Sequence, residues 1–199
     1  MSLPTAFEKA LAQIDEVHSQ DPKKITPAGS RGPIPYELHY AQKMTAYLQK
    51  RHATASEPLR LAIRAQHLRR WEVPRSSYPM TKAGYLQWRA SLKKRQAAQA
   101  REICLASGYA EVEAERVASL IRKEDLKNDE ETQVLEDVAC LVFLDDQFEE
   151  FERDLGDEEK VVGILKKTWG KMSEGGHKLA LEISMSERTK ALVEKSLAT

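Results

Sequence analysis

Apolar residues recur at helical spacing through almost every segment of this chain, and almost no segment alternates as a strand would. An amphipathic helix has to bury its apolar stripe against another element. The expected fold is therefore all-α: a single compact domain of about eight helices over residues 1–199, with a long N-terminal loop. At 199 residues a chain buries roughly 70% of its unfolded surface, enough for one real core.

Leu3, Phe7, Leu11, Ile14 and His18 form the first stripe, with Pro4 suited to a first turn. Residues 19–35 hold four prolines and two glycines and read as an irregular arm or loop. A helix is expected from Tyr36 to Arg51, and a second from Ser56 and Pro58 to about Trp71. Residues 72–81 read as a loop, with Thr81 as N-cap of a long basic helix closed by Gly108. Val112, Val117, Leu120 and Ile121 predict a helix to about Glu124. Another is predicted from about Glu130 to Leu155, stopped by Gly156. Asp157 caps a helix bearing Val161, Ile164, Leu165 and Trp169. Gly175 and Gly176 are expected to break the chain, and Ser184 and Glu187 have capping-box spacing for the last helix.

Apolar residues make up 41% and charged residues 31%, a globular composition with a charged exterior. Formal net charge is zero, so only its distribution speaks to partners. From Arg60 to Arg101 there are eleven Lys or Arg and one acid; from Glu102 to Lys160 there are twenty acids and six bases. Such asymmetry points to an electrostatically selective partner or to mutual attraction of the two halves. Cys104 and Cys140 form neither a disulfide framework nor a metal spacing, so a reducing, cytoplasmic compartment is expected. Neither a signal peptide nor a membrane span is read.

The acidic segment 133–152 carries the clearest chemical candidate. Val138, Leu141, Val142, Asp145, Phe148 and Glu149 share one helical face, so an apolar stripe runs directly into carboxylates. Asp146 lies beside them. Crowded, partly buried carboxylates have at least one raised pKa, which prepares a general acid or base and equally a clamp for a cation. A solvated helix end or a salt bridge to the basic half is the plainer reading. In the basic half, Arg69, Arg70, Arg75, Lys82, Arg89, Lys93, Lys94 and Arg95 are interleaved with Trp71, Tyr78, Tyr85 and Trp88. Clustered cations bind phosphates and aromatic rings stack on unpaired bases, although both tryptophans also suit a core. His67, Glu37, Arg64 and Glu124 are candidate substrate contacts, with His39 and Lys123 close behind. His67 equally reads as a satisfied core histidine. Ser76, Ser77 and Tyr78 are minor candidates for covalent or acid–base roles.

The runs ELHYAQKMTAYL, AIRAQHLRRWEVPRSSYPMTKAGYLQWR, IRKEDLKNDEETQVLEDVACLVFLDDQFEEF and ILKKTWGKMS lie within residues 36–171. They resemble a widespread helical family formerly of unknown function. Within it the chain is similar to the fungal arginine-containing cyclodipeptide synthases, whose DDxxE motif reads here Asp145, Asp146, Gln147, Phe148, Glu149. The resemblance implies an aminoacyltransferase of secondary metabolite biosynthesis that joins arginine from arginyl-tRNA to a second amino acid, giving cyclo(Arg-X). It implies Asp145, Asp146 and Glu149 as catalytic residues; carboxylate chemistry suggests that Asp145 and Asp146 hold the arginyl guanidinium or α-amine and that Glu149 accepts a proton. It also implies arginyl-tRNA and a second charged tRNA as partners, with no DNA, membrane, metal or cofactor. An ester on tRNA is already activated, and neither a P-loop nor GxGxxG occurs in the sequence.

Three alternatives stand beside it. A metal-dependent phosphohydrolase, distantly HD-like, would use His39, His67 and Asp137 or Asp145, but His67 is followed by Leu68 rather than Asp. A terpene-synthase-like use of the acidic motif lacks a second metal-binding motif. A non-enzymatic RNA-binding protein fits the charge asymmetry as well.

Overall fold

The computed structural model describes residues 3–27 and 29–198. These residues form ten α-helices: α1 (Ala6–Ser19), α2 (Tyr36–Arg51), α3 (Glu57–Arg64), α4 (Lys82–Ser107), α5 (Glu111–Arg122), α6 (Glu130–Val142), α7 (Phe148–Leu155), α8 (Glu158–Trp169), α9 (Glu174–Leu181) and α10 (Glu187–Leu197). Beside them stand only two two-residue strands, β1 (Lys24–Ile25) and β2 (Ile34–Pro35), paired antiparallel. The chain is all-α, as its periodicity requires. Among the described residues no helix is long and apolar enough to cross a membrane.

The core is built around α2 and α6, which pack on each other; α3 joins both, and α9 covers α6. The long helix α4 packs on α5 and α1, and α8 pairs with α10. Met44, Leu59, Ile63, Leu120, Ile121, Leu135, Leu141 and Phe148 are all but sealed from solvent. Cys104 and Cys140 are buried thiols outside any disulfide.

Caps account for most helix starts. Thr5 and Glu8 form a capping box, so α1 starts at Ala6 and Pro4 precedes it, outside the first turn expected for it. Thr81 and Asp157 cap α4 and α8 as their residue types predict, and Gly108 closes α4 in the left-handed conformation. Pro35 has no side chain with which to cap α2. Asp21 does so from the arm: Glu37 N donates to its Oδ2 at 2.9 Å, and Lys23 N to its Oδ1 at 2.9 Å. The arm 19–35 is thus folded back on the start of α2.

Five expectations change. First, α3 ends at Arg64, not near Trp71, because His67 (φ 64°) and Arg69 (φ 49°) take left-handed backbone. Second, the helix read from Glu130 to Leu155 is interrupted at Phe143–Gln147 by a π turn. Third, α9 runs through Gly175 and Gly176 under a Ser173 cap. A Cβ on Gly175 would stand 2.8 Å from the Arg51 guanidinium, and one on Gly176 2.9 Å from the Asp137 carboxyl. Those glycines serve close packing rather than a break. Fourth, the last helix is capped by Ser186, whose Oγ accepts from Thr189 N, in place of Ser184. Fifth, Val112 is exposed, since only the Val117, Leu120 and Ile121 side of α5 meets the core.

Candidate functional site

The first turns of α2 gather more polar chemistry than any other part of the described chain. Tyr36, Glu37, His39, Tyr40 and Lys43 each meet a partner from elsewhere in the fold. Gln147 Nε2 in the π turn donates to Tyr36 Oη at 2.6 Å. His39 Nε2 lies 2.7 Å from Asp146 Oδ1. Lys43 Nζ donates to Asp145 Oδ2 at 2.6 Å and stands 3.9 Å from Asp146. Three consecutive π-turn residues are therefore held against one face of one helix.

The π turn decides how the acidic trio is presented. A wider turn inserts one residue relative to an α-helix and rotates the residues after it. Leu141, Val142, Leu144 and Phe148 remain buried, while Asp145 and Glu149 come to the surface and Asp146 turns toward α2. The shared face expected from α-helical spacing is thus split. Asp146 is the inward member, only 14% exposed at its side chain. Glu149 is exposed and has no ion pair or side-chain hydrogen bond among the described residues. The buried Tyr47 phenol is pushed up, first by burial and then by the charge of Asp145.

Glu37 lies two residues before His39 and is buried, at 5% exposure. Its Oε2 stands 3.3 Å from His67 Nδ1 but has no hydrogen bond. Desolvation is the main cause that raises its carboxyl to about 7, with the negative charge of Asp21 adding and the charges of Arg70 and His18 opposing. His67 is stacked on Tyr40, ring centroids 4.1 Å apart and planes 9° apart. Arg70 Nη1 donates to His67 Nε2 at 2.9 Å. Arg70 Nη1 also stands 3.4 Å from His67 Nδ1, so one guanidinium nitrogen lies against both ring nitrogens. Burial holds the imidazole well below its ordinary pKa, helped by Arg70, Arg89, His18 and Lys123. The left-handed conformations of His67 and Arg69 cost roughly 1–3 kcal/mol each and persist only where surrounding contacts impose them. Here the Tyr40 stack and the Arg70 contact hold the His67 ring, and Arg69 is held by Glu72 and Gln20.

A groove of about 870 Å³ is lined by Tyr85, Leu86, Arg89, Lys93, Lys94, Arg101, Arg122 and Lys171. Arg89 charges both the groove and the surroundings of His67 and Tyr40. Glu136 accepts from Lys123 and lies 3.7 Å from Lys171, a groove residue. Lys93 is lowered by burial and by the neighbouring cations. Gly84 lets the first turn of α4 close on the loop before it, for a Cβ there would collide with the Pro79 carbonyl.

The sequence candidates divide accordingly. Of the eight cations proposed for tRNA, Arg89, Lys93 and Lys94 line the groove. Arg70 is turned inward onto His67 and over the Trp88 ring. Arg69 and Arg95 are paired with Glu72. Arg75 donates to the carbonyls of Tyr78, Pro79 and Thr81 and holds the loop. Lys82 is exposed at the start of α4. Arg64 is occupied by the fold: it grips Asp15 with two nitrogens, at 2.6 and 2.8 Å, and donates to Thr45 at 3.1 Å. All three guanidinium nitrogens are thus engaged within the protein, which makes Arg64 a structural residue rather than a substrate contact. Glu124 is exposed and paired with Arg122, which lowers it. Trp88 is core, its Nε1 donating to Val73 O, whereas Tyr85 is exposed. Ser76 and Ser77 are exposed in a 3₁₀ turn, Arg75–Ser77.

Arg101, Arg122 and Lys171 were not expected in the groove. Arg89, Lys93 and Arg101 follow one another at multiples of four on α4, a signal legible in the sequence. Arg122 and Lys171 arrive from other elements and leave no local trace. Among the described residues no group of three or more His, Cys, Asp or Glu is placed to hold a metal. His39 and His67 instead meet separate carboxylates.

A family model described as a domain of unknown function, DUF4202, matches residues 8–193. The chain belongs to the DUF4202 family. The match takes in α1 and the arm as well as the 36–171 segment, so the Asp21 cap and the α2 site lie inside the DUF4202 domain. Comparison of this DUF4202 chain with curated proteins and with solved structures gives no match.

Proposed function

We propose that this chain is a tRNA-dependent aminoacyltransferase that joins an arginyl group from arginyl-tRNA to a second amino acid and closes a cyclo(Arg-X) diketopiperazine. The observation that supports the reading is the presence of two unlike surfaces in one fold: an open basic groove and a cluster of carboxylates and imidazoles, with Arg89 lining the groove and its charge reaching His67. The groove suits a phosphate backbone, and exposed Tyr85 at its edge suits an unpaired base. The carboxylates suit a cation. Lys43 already bridges Asp145 and Asp146, the kind of contact that a guanidinium group makes more strongly in bidentate form.

In this reading the aminoacyl ester reaches the α2 cluster from the groove. Asp145 and Asp146 receive the arginyl guanidinium or amine in place of Lys43, and exposed Glu149 supplies a third carboxylate at the mouth. His39 holds Asp146 in orientation. Proximity then lets an amine attack an ester that is activated in advance, a gain of up to several kcal/mol. The resemblance of DDxxE to the arginine-containing cyclodipeptide synthases points the same way.

Expression in a bacterial host with mass spectrometry of the products tests it. Wild type is expected to yield cyclo(Arg-X), and D146N to lose it while remaining folded. RNA binding without any product in either case would favour a non-enzymatic RNA-binding protein, which the groove supports equally.

A further inference from the structure

Asp145, Asp146 and Glu149 offer places to bind a cation, but the buried carboxylate with an unpartnered oxygen is Glu37. It stands 3.3 Å from Nδ1 of the His67 imidazole, whose ring Arg70 contacts at both nitrogens. From this geometry we infer that Glu37 and His67 share a single proton and form the proton-transfer pair of the site, in place of Glu149. The inference rests on the aminoacyl-transfer reading for its substrate, but not for the sharing itself.

The surroundings of the pair are mixed. His18 of α1 and Asp21 and Lys23 of the arm act on Glu37. Arg70 acts on both members, and Arg89 of α4 and Lys123 at the end of α5 act on His67. Tyr36 and Tyr40 flank the pair on α2, and both phenols are pushed up by burial, so neither competes as a base near neutrality. His18 is lowered by burial, and its Nε2 is engaged with Arg64 O at 2.9 Å, which leaves it a supporting role.

In the transfer, the amine nitrogen forms the new C–N bond and the ester C–O bond to the ribose breaks. The proton lost by nitrogen is taken at His67 Nε2 and returned to the departing ribose oxygen. Ionised Glu37 holds the transient imidazolium through Nδ1–H. Arg70 occupies Nε2 in the resting site, so the substrate displaces it, and its released guanidinium stands where negative charge grows on the ester oxygen.

Folding moves a proton between the two groups. Below about pH 6.5 the unfolded chain carries it on histidine, since an ordinary glutamate stays ionised down to about pH 4.3. The folded chain carries it on Glu37, raised to about 7, beside neutral His67. Folding therefore exchanges no net proton through this pair between about pH 4.5 and 6.5. Each single substitution uncovers one half of that balance. In E37Q only the unfolded histidine binds a proton, so the folding equilibrium constant falls up to about tenfold per unit of acidification below pH 6.5. In H67N only folded Glu37 binds one, so the constant falls up to about tenfold per unit as pH rises from 4.5 toward 7.

The experiment is urea unfolding of the full chain at several pH values for wild type, E37Q and H67N, joined to single-turnover transfer from arginyl-tRNA. Opposite slopes relative to wild type support the shared proton. Parallel slopes in all three proteins overturn it. In the transfer arm the wild-type rate is expected to rise through about pH 7, with that rise absent from E37Q. An unchanged profile in an active E37Q overturns the transfer role. Opposite slopes with no transfer by wild type would overturn the aminoacyl reading while upholding the pair.

Discussion

Two carboxylates on neighbouring helices of this core are buried to nearly the same depth, and their surroundings could hardly differ more. Asp137 on α6 is sealed from solvent. Its Oδ1 accepts from Ser173 N at 2.8 Å and Gln133 Nε2 at 2.9 Å, and its Oδ2 from Arg51 Nε at 2.8 Å and Ser173 Oγ at 2.5 Å. Glu37 on α2 has one oxygen with no hydrogen bond. A buried charge is tolerable when it is paired and fully hydrogen-bonded, and otherwise it neutralises. Asp137 takes the first course and ties α2, α6 and α9 together. Glu37 takes the second and becomes a group that changes protonation near neutral pH. Depth alone therefore does not tell a structural carboxylate from a chemical one; the number of donors aimed at it does.

The largest expected effect falls on the saturated side. Asp137→Ala leaves Arg51 without its partner and removes the cap support of α9, a loss of about 3–5 kcal/mol measured by urea unfolding. Next comes Gly176→Ala, whose Cβ would stand 2.9 Å from the Asp137 carboxyl. It should cost about 1–3 kcal/mol through overpacking; a neutral result would mean that the knot yields easily. On the other side Glu37→Gln should change stability at pH 7 by less than about 1 kcal/mol, since the amide has the shape of the protonated acid and no charge to desolvate. Its transfer rate should nevertheless fall about 10²- to 10⁴-fold, the usual reach of a proton-transfer group. A large stability loss with unaffected rate would place Glu37 with Asp137. The smallest effect belongs to Glu149→Gln, within about 0.5 kcal/mol of wild type because the side chain is exposed. Its rate loss should stay below that of Glu37→Gln.

The helical scaffold was legible wherever the determinants are local. The start and end of α4 are set by Thr81 and Gly108, residues at the helix's own ends. Features fixed from a distance escaped. The Asp21 carboxylate that caps α2 lies sixteen residues before the N–H it accepts from. The end of α3 is followed by a left-handed His67 whose ring is held by Tyr40 and Arg70, residues outside the helix. The π turn has no residue signature of its own, so α-helical spacing placed Asp145 on the apolar face where the fold places Asp146 against His39. Glu37 and His67 were legible as polar residues near apolar stripes, but their 3.3 Å approach joins two elements about thirty residues apart in the chain.

The proposed delivery of an aminoacyl group from the basic groove to the α2 cluster is tested most directly with purified chain and arginyl-tRNA labelled in its arginine. After a single turnover with a second charged tRNA, label is expected in a cyclic dipeptide with wild type and to remain on tRNA with D146N. Label that stays on tRNA with wild type, under conditions where the tRNA is bound, would contradict that delivery.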